Sequence, residues 1–135
     1  MAQIIPVSAC SIFIQIWVDT NALQNGQTRG VYLVDNNLTR GSTQEGTPNL
    51  TTSVPTGTNI CWQLLNVNLY SSAELSIQDI GNASVWGASG QPQQINATTW
   101  TGQAQAEGSA SYQLTVNAQS GSGITTSVYP TVSAH

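Results

Sequence analysis

Charge is what this chain has least of. Its 135 residues include two arginines, six carboxylates and no lysine, and the single histidine, His135, is the last residue. Charged side chains make up 6 % of the sequence, against about 25 % in an ordinary soluble domain. Acid–base catalysis needs titratable groups gathered in a pocket, and any Ser-His-Asp or Cys-His site would have to draw on His135, expected on a frayed end. There is no Gly-x-Ser-x-Gly elbow, the motif that exposes a nucleophilic serine between a strand and a helix. Glu74 and Asp79 fall on opposite faces of a strand by parity, so they make a poor glycosidase pair. Zinc ligands are scattered singly. Asp35 and Asn36 could offer oxygens to calcium, but the favoured reading of that run is a turn held by Asx hydrogen bonds. The chain is therefore expected to be no enzyme, with no cofactor, no metal and no catalytic residue.

The shortage of positive charge excludes more. Asp19, Asp35, Glu45, Glu74, Asp79 and Glu107 outweigh Arg29 and Arg40, for a net charge of −4. Two isolated arginines cannot neutralise a run of phosphates, so nucleic acid is not an expected partner. A polybasic membrane anchor fails on the same ground, and no stretch approaches the roughly 18 apolar residues of a membrane helix. Met1 to Val18 is apolar but lacks a basic leading segment, and Gln15 and Asp19 interrupt it. It is read as a strand, with no recognisable signal peptide.

Cysteine is nearly absent as well. Cys10 and Cys61 have no metal-site or CxxC spacing, and buried free thiols and a Cys10–Cys61 bridge both stay open. Asn37, Asn49, Asn82 and Asn96 each begin an Asn-x-Ser/Thr sequon, a frequency expected by coincidence in a chain so rich in these residues.

What is present is alternation with period two and no helical period. The first strand runs from about Cys10 to Asp19, with Ile12, Ile14, Ile16 and Val18 on one face and Phe13, Gln15 and Trp17 on the other. Both faces are largely apolar, which suits a strand packed on two sides. Asp19 and Thr20 then cap a short turn through Asn21 to Gln24, ended by Asn25-Gly26. Further strands are expected over Val31–Asp35, Asn49–Val54, Thr58–Val67, Ala73–Ile80 and Thr98–Gly102, with loops over Thr39–Pro48 and most of Gly81–Ala97. In a closing hairpin Tyr112, Leu114, Val116 and Ala118 share a face, the turn is Ser120-Gly121-Ser122-Gly123, and the chain returns through Ile124 to Val132. Pro130 would break a central ladder, so the last strand is expected to be an edge or to bulge there. The pattern predicts an all-β fold: one domain, residues 1–135, a single antiparallel β-sandwich of about seven or eight strands.

Four tryptophans stand out. Trp17 and Trp62 sit in strong strands and are expected in the core. Trp86 and Trp100 lie among small polar residues. Core or subunit interface is the favoured place for them, and stacking on a sugar ring is the alternative, which makes Trp86 and Trp100 the candidate ligand-stacking residues.

The order of several segments resembles the bacterial AidA/PixA inclusion-body protein family. The opening strand Ile12-Phe13-Ile14-Gln15-Ile16-Trp17-Val18 ends in Val18-Asp19-Thr20, and a short Tyr-containing strand follows at Val31-Tyr32-Leu33-Val34. Then come a Gly-x-x-Ile-x-Trp-like segment, Gly57-Thr58-Asn59-Ile60-Cys61-Trp62, and a late tryptophan. The close is a hairpin from Gly108 through Tyr112 and Val116 to Tyr129-Pro130-Thr131-Val132, with Tyr129 where the family has an aspartate before the proline. The resemblance implies a β-sandwich, cytoplasmic accumulation as inclusions or regulated expression in host-associated bacteria, and no established catalytic residues.

Low charge leaves little repulsion between copies, so the leading expectation is a non-enzymatic protein that self-associates, as a homo-oligomer or larger assembly, through its surfaces. A carbohydrate-binding, lectin-like module with a glycan partner is the alternative. A further one is an extracellular fibre or capsid subunit whose last strand is covered by a partner.

Overall fold

The computed structural model describes residues 4–22, 30–68, 73–119 and 123–135. The alternation in the first strand is realised fully. In β1 (Ile12–Val18) the four even-numbered residues are buried, while Phe13 is exposed and Gln15 and Trp17 are half-buried. β1 lies inside a five-stranded sheet, between β2 (Val31–Asp35), which is antiparallel to it, and β4 (Thr58–Asn66), which is parallel. β3 (Thr51–Val54), which belongs to another sheet, comes between β2 and β4 in the chain. That detour supplies the crossover a parallel pair requires. The sheet continues through β7 (Thr99–Ala104) to β6 (Gln93–Asn96) at its edge.

The remaining strands after β5 (Glu74–Ile80) come from the closing hairpin, which is longer and more broken than its sequence suggests. β8 (Gly108–Ser111) and β9 (Leu114–Gln119) return as β10 (Ile124–Val128) and β11 (Thr131–Ala134). β9 and β10 pair antiparallel beside β5, and β8 and β11 pair antiparallel beside β3, giving two three-stranded sheets. The break falls at Pro130, which has no N–H to continue a ladder. One bond crosses it, the Tyr112 N–H donating to the Pro130 carbonyl at 3.0 Å.

Three expectations about the strands change. The fold is all-β, but it has eleven strands in three sheets among the described residues, with two parallel pairs, and is not one antiparallel sandwich of seven or eight strands. The extra strands, β6 and β8, are segments of Gln, Asn, Ser, Gly and Ala with a single apolar side chain larger than Ala between them, so the region 81–97 reads as loop. Backbone pairing creates them, and alternation does not announce them. The last strand, expected as one run from Ile124 to Val132, is divided at Pro130: β10 is an edge of its sheet, as expected, whereas β11 is flanked by β3 and β8, and Thr131 is paired on both sides, with Thr51 and Ser111. The expected turns at residues 23–26 and 120–122 lie outside the described residues. The start of the first is visible, since the Asn21 N–H donates to Asp19 Oδ1 at 3.0 Å.

All three sheets contribute to one apolar cluster. It includes Ile14, Ile16, Leu33, Leu50, Ile60, Ile77, Leu114, Val116 and Val132, and its largest members are Trp62 and Trp86. A bulge between Ile77 and Asp79 shifts β5 so that Ile80 also turns inward, where strict alternation would place it outside. The last residue is tied down rather than frayed. The His135 N–H donates to the Val54 carbonyl at 3.0 Å, and its own carbonyl accepts the Thr56 N–H at 2.8 Å.

Candidate functional site

The outer face of the five-stranded sheet is where apolar surface remains uncovered. Phe13, Gln15 and Trp17 of β1 point away from the core, and register places them beside outward residues of both neighbours. Trp17 stands opposite Tyr32 and beside Leu65, Gln15 lies between Val34 and Gln63, and Phe13 is beside Cys61. Phe13 is 39 % and Tyr32 42 % exposed, and Trp17, Val34 and Leu65 are half-buried. No carboxylate and no basic side chain stands among these residues. The polar groups are amides, the Tyr32 hydroxyl, the Cys61 thiol and the Trp17 indole, whose N–H donates to Gln15 Oε1 at 3.3 Å. Trp17 is thus not a core residue as expected. The same doubly apolar pattern that suggested a strand packed on two sides leaves one side open here.

The tryptophans proposed for stacking go elsewhere. Trp86 is fully buried, its ring edge-on to Trp62 at 5.6 Å between centroids and tilted against Tyr112 at 5.4 Å. Its indole N–H donates to the Gly81 carbonyl at 3.0 Å. A ring enclosed on both faces has nothing to offer a sugar. Trp100 is the register partner of Trp62, so it faces the core side of the sheet, half-buried against the cluster, with its Nε1 sealed from solvent and without a partner. The two therefore form no common surface.

A second local feature is a carboxyl pair. Asp35 ends β2 and Glu45 lies in the loop that follows. Glu45 Oε1 accepts the Asp35 N–H at 2.8 Å, and Asp35 Oδ1 accepts the Asn37 N–H at 2.8 Å, the Asx turn that the sequence favoured over a calcium site. The other oxygens, Asp35 Oδ2 and Glu45 Oε2, are sealed from solvent with no donor. Burial, reinforced by the Asp35 carboxyl facing it, pushes Glu45 up to about 7. Among the described residues there is no group of three or more His, Cys, Asp or Glu side chains able to hold a metal. Glu74 and Asp79 are both exposed on β5. Of the sequon asparagines, Asn37 is buried and its amide donates to the Ser53 carbonyl, whereas Asn49, Asn82 and Asn96 are exposed.

A cleft of about 230 Å³ lies under the N-terminal segment, lined by Ile4, Ile5, Pro6, Asn59, Gln103 and Gln105 among others. Its amides are occupied with one another. Gln103 Nε2 donates to Asn59 Oδ1 at 2.9 Å and Gln105 Nε2 to Gln103 Oε1 at 2.7 Å. The cleft is a packed polar seam rather than a set of free donors. No helix among the described residues is long and apolar enough to cross a membrane.

Comparison with known proteins gives matches of two kinds. Residues 10–125 match a family described as a domain of unknown function, DUF8788. Among solved structures, the chain is similar to an inclusion body protein, PixA, from Burkholderia cenocepacia J2315. The TM-score is 0.68 at 16 % sequence identity, covering 97 % of this chain and all of that one. No curated protein sequence matches. The resemblance read from short motifs therefore holds at the level of the fold.

Proposed function

From a chain that belongs to the DUF8788 family, we propose a protein without catalytic activity that self-associates through the outer face of β2, β1 and β4 and accumulates as an inclusion-body-type assembly in the cytoplasm. The observation that carries this reading is the uncovered apolar face itself. Phe13, Trp17, Tyr32, Val34 and Leu65 share one face across three strands, with Phe13 and Tyr32 exposed and Trp17, Val34 and Leu65 half-buried. Such surfaces mark contact sites in soluble proteins, and with so little charge on the chain few like charges oppose the approach of a second copy. The similarity of fold to a protein described as an inclusion body protein supports the same reading.

Sedimentation velocity over a wide range of concentration tests it, with Trp17→Lys and Tyr32→Lys as variants. Both side chains are at least partly exposed, so each lysine can reach water without disturbing the core. The wild-type chain is expected to form concentration-dependent assemblies, and the variants to shift toward monomer with an unchanged circular dichroism spectrum. A wild-type protein that stays monomeric at high concentration overturns the proposal.

A second reading has its own support. Trp17 and Tyr32 are adjacent aromatic rings flanked by the amides of Gln15 and Gln63, and rings with neutral hydrogen bonders are what a neutral glycan would meet. Titration with neutral polysaccharides separates the two: saturable binding by monomeric protein, lost in Trp17→Ala, favours the glycan.

A further inference from the structure

The segment before β1 crosses the outer face of the five-stranded sheet and closes over Cys61. It carries a short 3-10 turn, Val7–Ala9, and three hydrogen bonds to the sheet fix its course. Thr101 Oγ1 donates to the Ile5 carbonyl at 2.6 Å, Asn59 Nδ2 donates to the Ala9 carbonyl at 3.1 Å, and the Ser11 N–H donates to the Asn59 carbonyl at 3.3 Å.

These anchors bracket one residue. Thr101 is the partner of Cys61 on β7, and Asn59 precedes Cys61 by two positions on β4, hence on the same face. Ala9 and Ser11, the neighbours of Cys10 in the chain, are both bonded to Asn59. Cys10 is thereby held against Cys61, which is only 3 % exposed, while Cys10 itself is half-buried. Both are free thiols in this structure, and each perturbs the ionisation of the other.

We propose that Cys10 and Cys61 are a site of intramolecular disulfide formation, in which a low-molecular-weight disulfide oxidises the pair and locks the N-terminal segment onto the sheet. Cys10 is the more accessible sulfur and reacts first. Its thiolate attacks one sulfur of the small disulfide, the S–S bond breaks, and a mixed disulfide forms at Cys10 as one small thiolate leaves. The Cys61 sulfur, already alongside, attacks the Cys10 sulfur and expels the second small thiolate. The two protons lost by the protein thiols end on the two released thiols. Two protein thiols are oxidised to one disulfide, and one small disulfide is reduced to two thiols. Burial, with the Cys61 thiol beside it, pushes Cys10 up to about 12, and burial raises Cys61 as well. Because the thiolate is the attacking species, the first step is slow near neutrality and accelerates as pH rises.

The experiment is incubation of the full chain with oxidised glutathione at a series of pH values, followed by acid quenching, mass spectrometry and peptide mapping. The wild-type chain is expected to lose two hydrogens, to retain no glutathione and to yield a Cys10–Cys61 cross-linked peptide, faster at higher pH. Cys61→Ser is expected to trap glutathione on Cys10, and Cys10→Ser to react more slowly than either. Stable glutathione on the wild-type chain without closure, a disulfide joining two chains, or two thiols still free after oxidation at high pH would each overturn the proposal. The wild-type measurements decide the question even if a serine variant fails to fold.

Discussion

The Trp62 indole N–H donates to the Tyr112 hydroxyl at 3.1 Å inside the core. The bond joins the middle of the five-stranded sheet to the bend of the C-terminal hairpin, and Trp86 packs against both rings. Neither polar group has access to water, so each depends on the other.

Tyr112→Phe is therefore expected to destabilise the protein. It keeps the ring but removes the acceptor, leaving a buried N–H without a partner at a cost of about 1–3 kcal/mol. Tyr112→Ala, which also empties the space between two tryptophans, should cost about 3–5 kcal/mol. Urea unfolding followed by tryptophan fluorescence measures both, and equal stability of Tyr112→Phe and wild type would show the bond to be immaterial.

Substitutions on the two faces of the sheets should separate cleanly. Leu114→Ala removes a fully buried side chain and should cost about 2–5 kcal/mol. Phe13→Ser, on the outer face, should change monomer stability by no more than about 0.5 kcal/mol while reducing self-association. Denaturant titration of dilute protein gives the first quantity and light scattering against concentration the second.

Self-association through this face should depend only weakly on salt. Its residues carry no ionic charge, so screening has little to act upon, and burial of Trp, Tyr and Val surface does not rely on it. Light scattering at low and high sodium chloride checks this. Dissociation by moderate salt would point to an ionic contact elsewhere on the chain.

Stability should fall as pH rises through the range set by Glu45. Its folded-state value lies near 7, above the ordinary 4.5, so the folded chain holds a proton that the unfolded chain releases. The resulting stabilisation is complete below about 4.5 and is lost as pH rises through about 7. Glu45→Gln keeps a donor facing Asp35 and removes the titration, so thermal unfolding of this variant should be flatter between these limits than that of wild type. Parallel profiles would show that Glu45 is not the source of the pH dependence.

Gly90 should not tolerate alanine. A Cβ there would lie 2.1 Å from the Gln103 carbonyl oxygen and 2.4 Å from that of Trp86, both backbone atoms. At Gly46 a Cβ meets nothing within 4 Å, and alanine pays only for its positive φ, about 1–2 kcal/mol. Thermal unfolding should place Gly90→Ala well below Gly46→Ala.

The strands with strong alternation, β1, β2, β4 and β9, were legible residue by residue, because period-two burial is a local property of the chain. So were the burial of Ile12, Ile14, Ile16, Trp62, Leu114 and Val116 and the all-β class. The strands β6 and β8 were not, since their identity lies in backbone partners far away in sequence. The interior place of β11 was hidden for the same reason: Pro130 announces a break, but only the arrival of β3 decides that the strand beyond it is flanked on both sides.

The functional surface divides in the same way. Sequence alone determined that β1 has two apolar faces, that charge is too sparse to oppose association, and that Cys10 and Cys61 are the only thiols. Tertiary structure decided which apolar face is covered, because the core takes the even-numbered residues and the N-terminal segment closes over Cys61 and Thr101 but stops short of Trp17 and Tyr32. It also drew Trp86 from a polar-looking segment into the interior. The space between Trp62 and Tyr112 could be filled by a large ring with one donor, and no local pattern around Trp86 records the shape of that space.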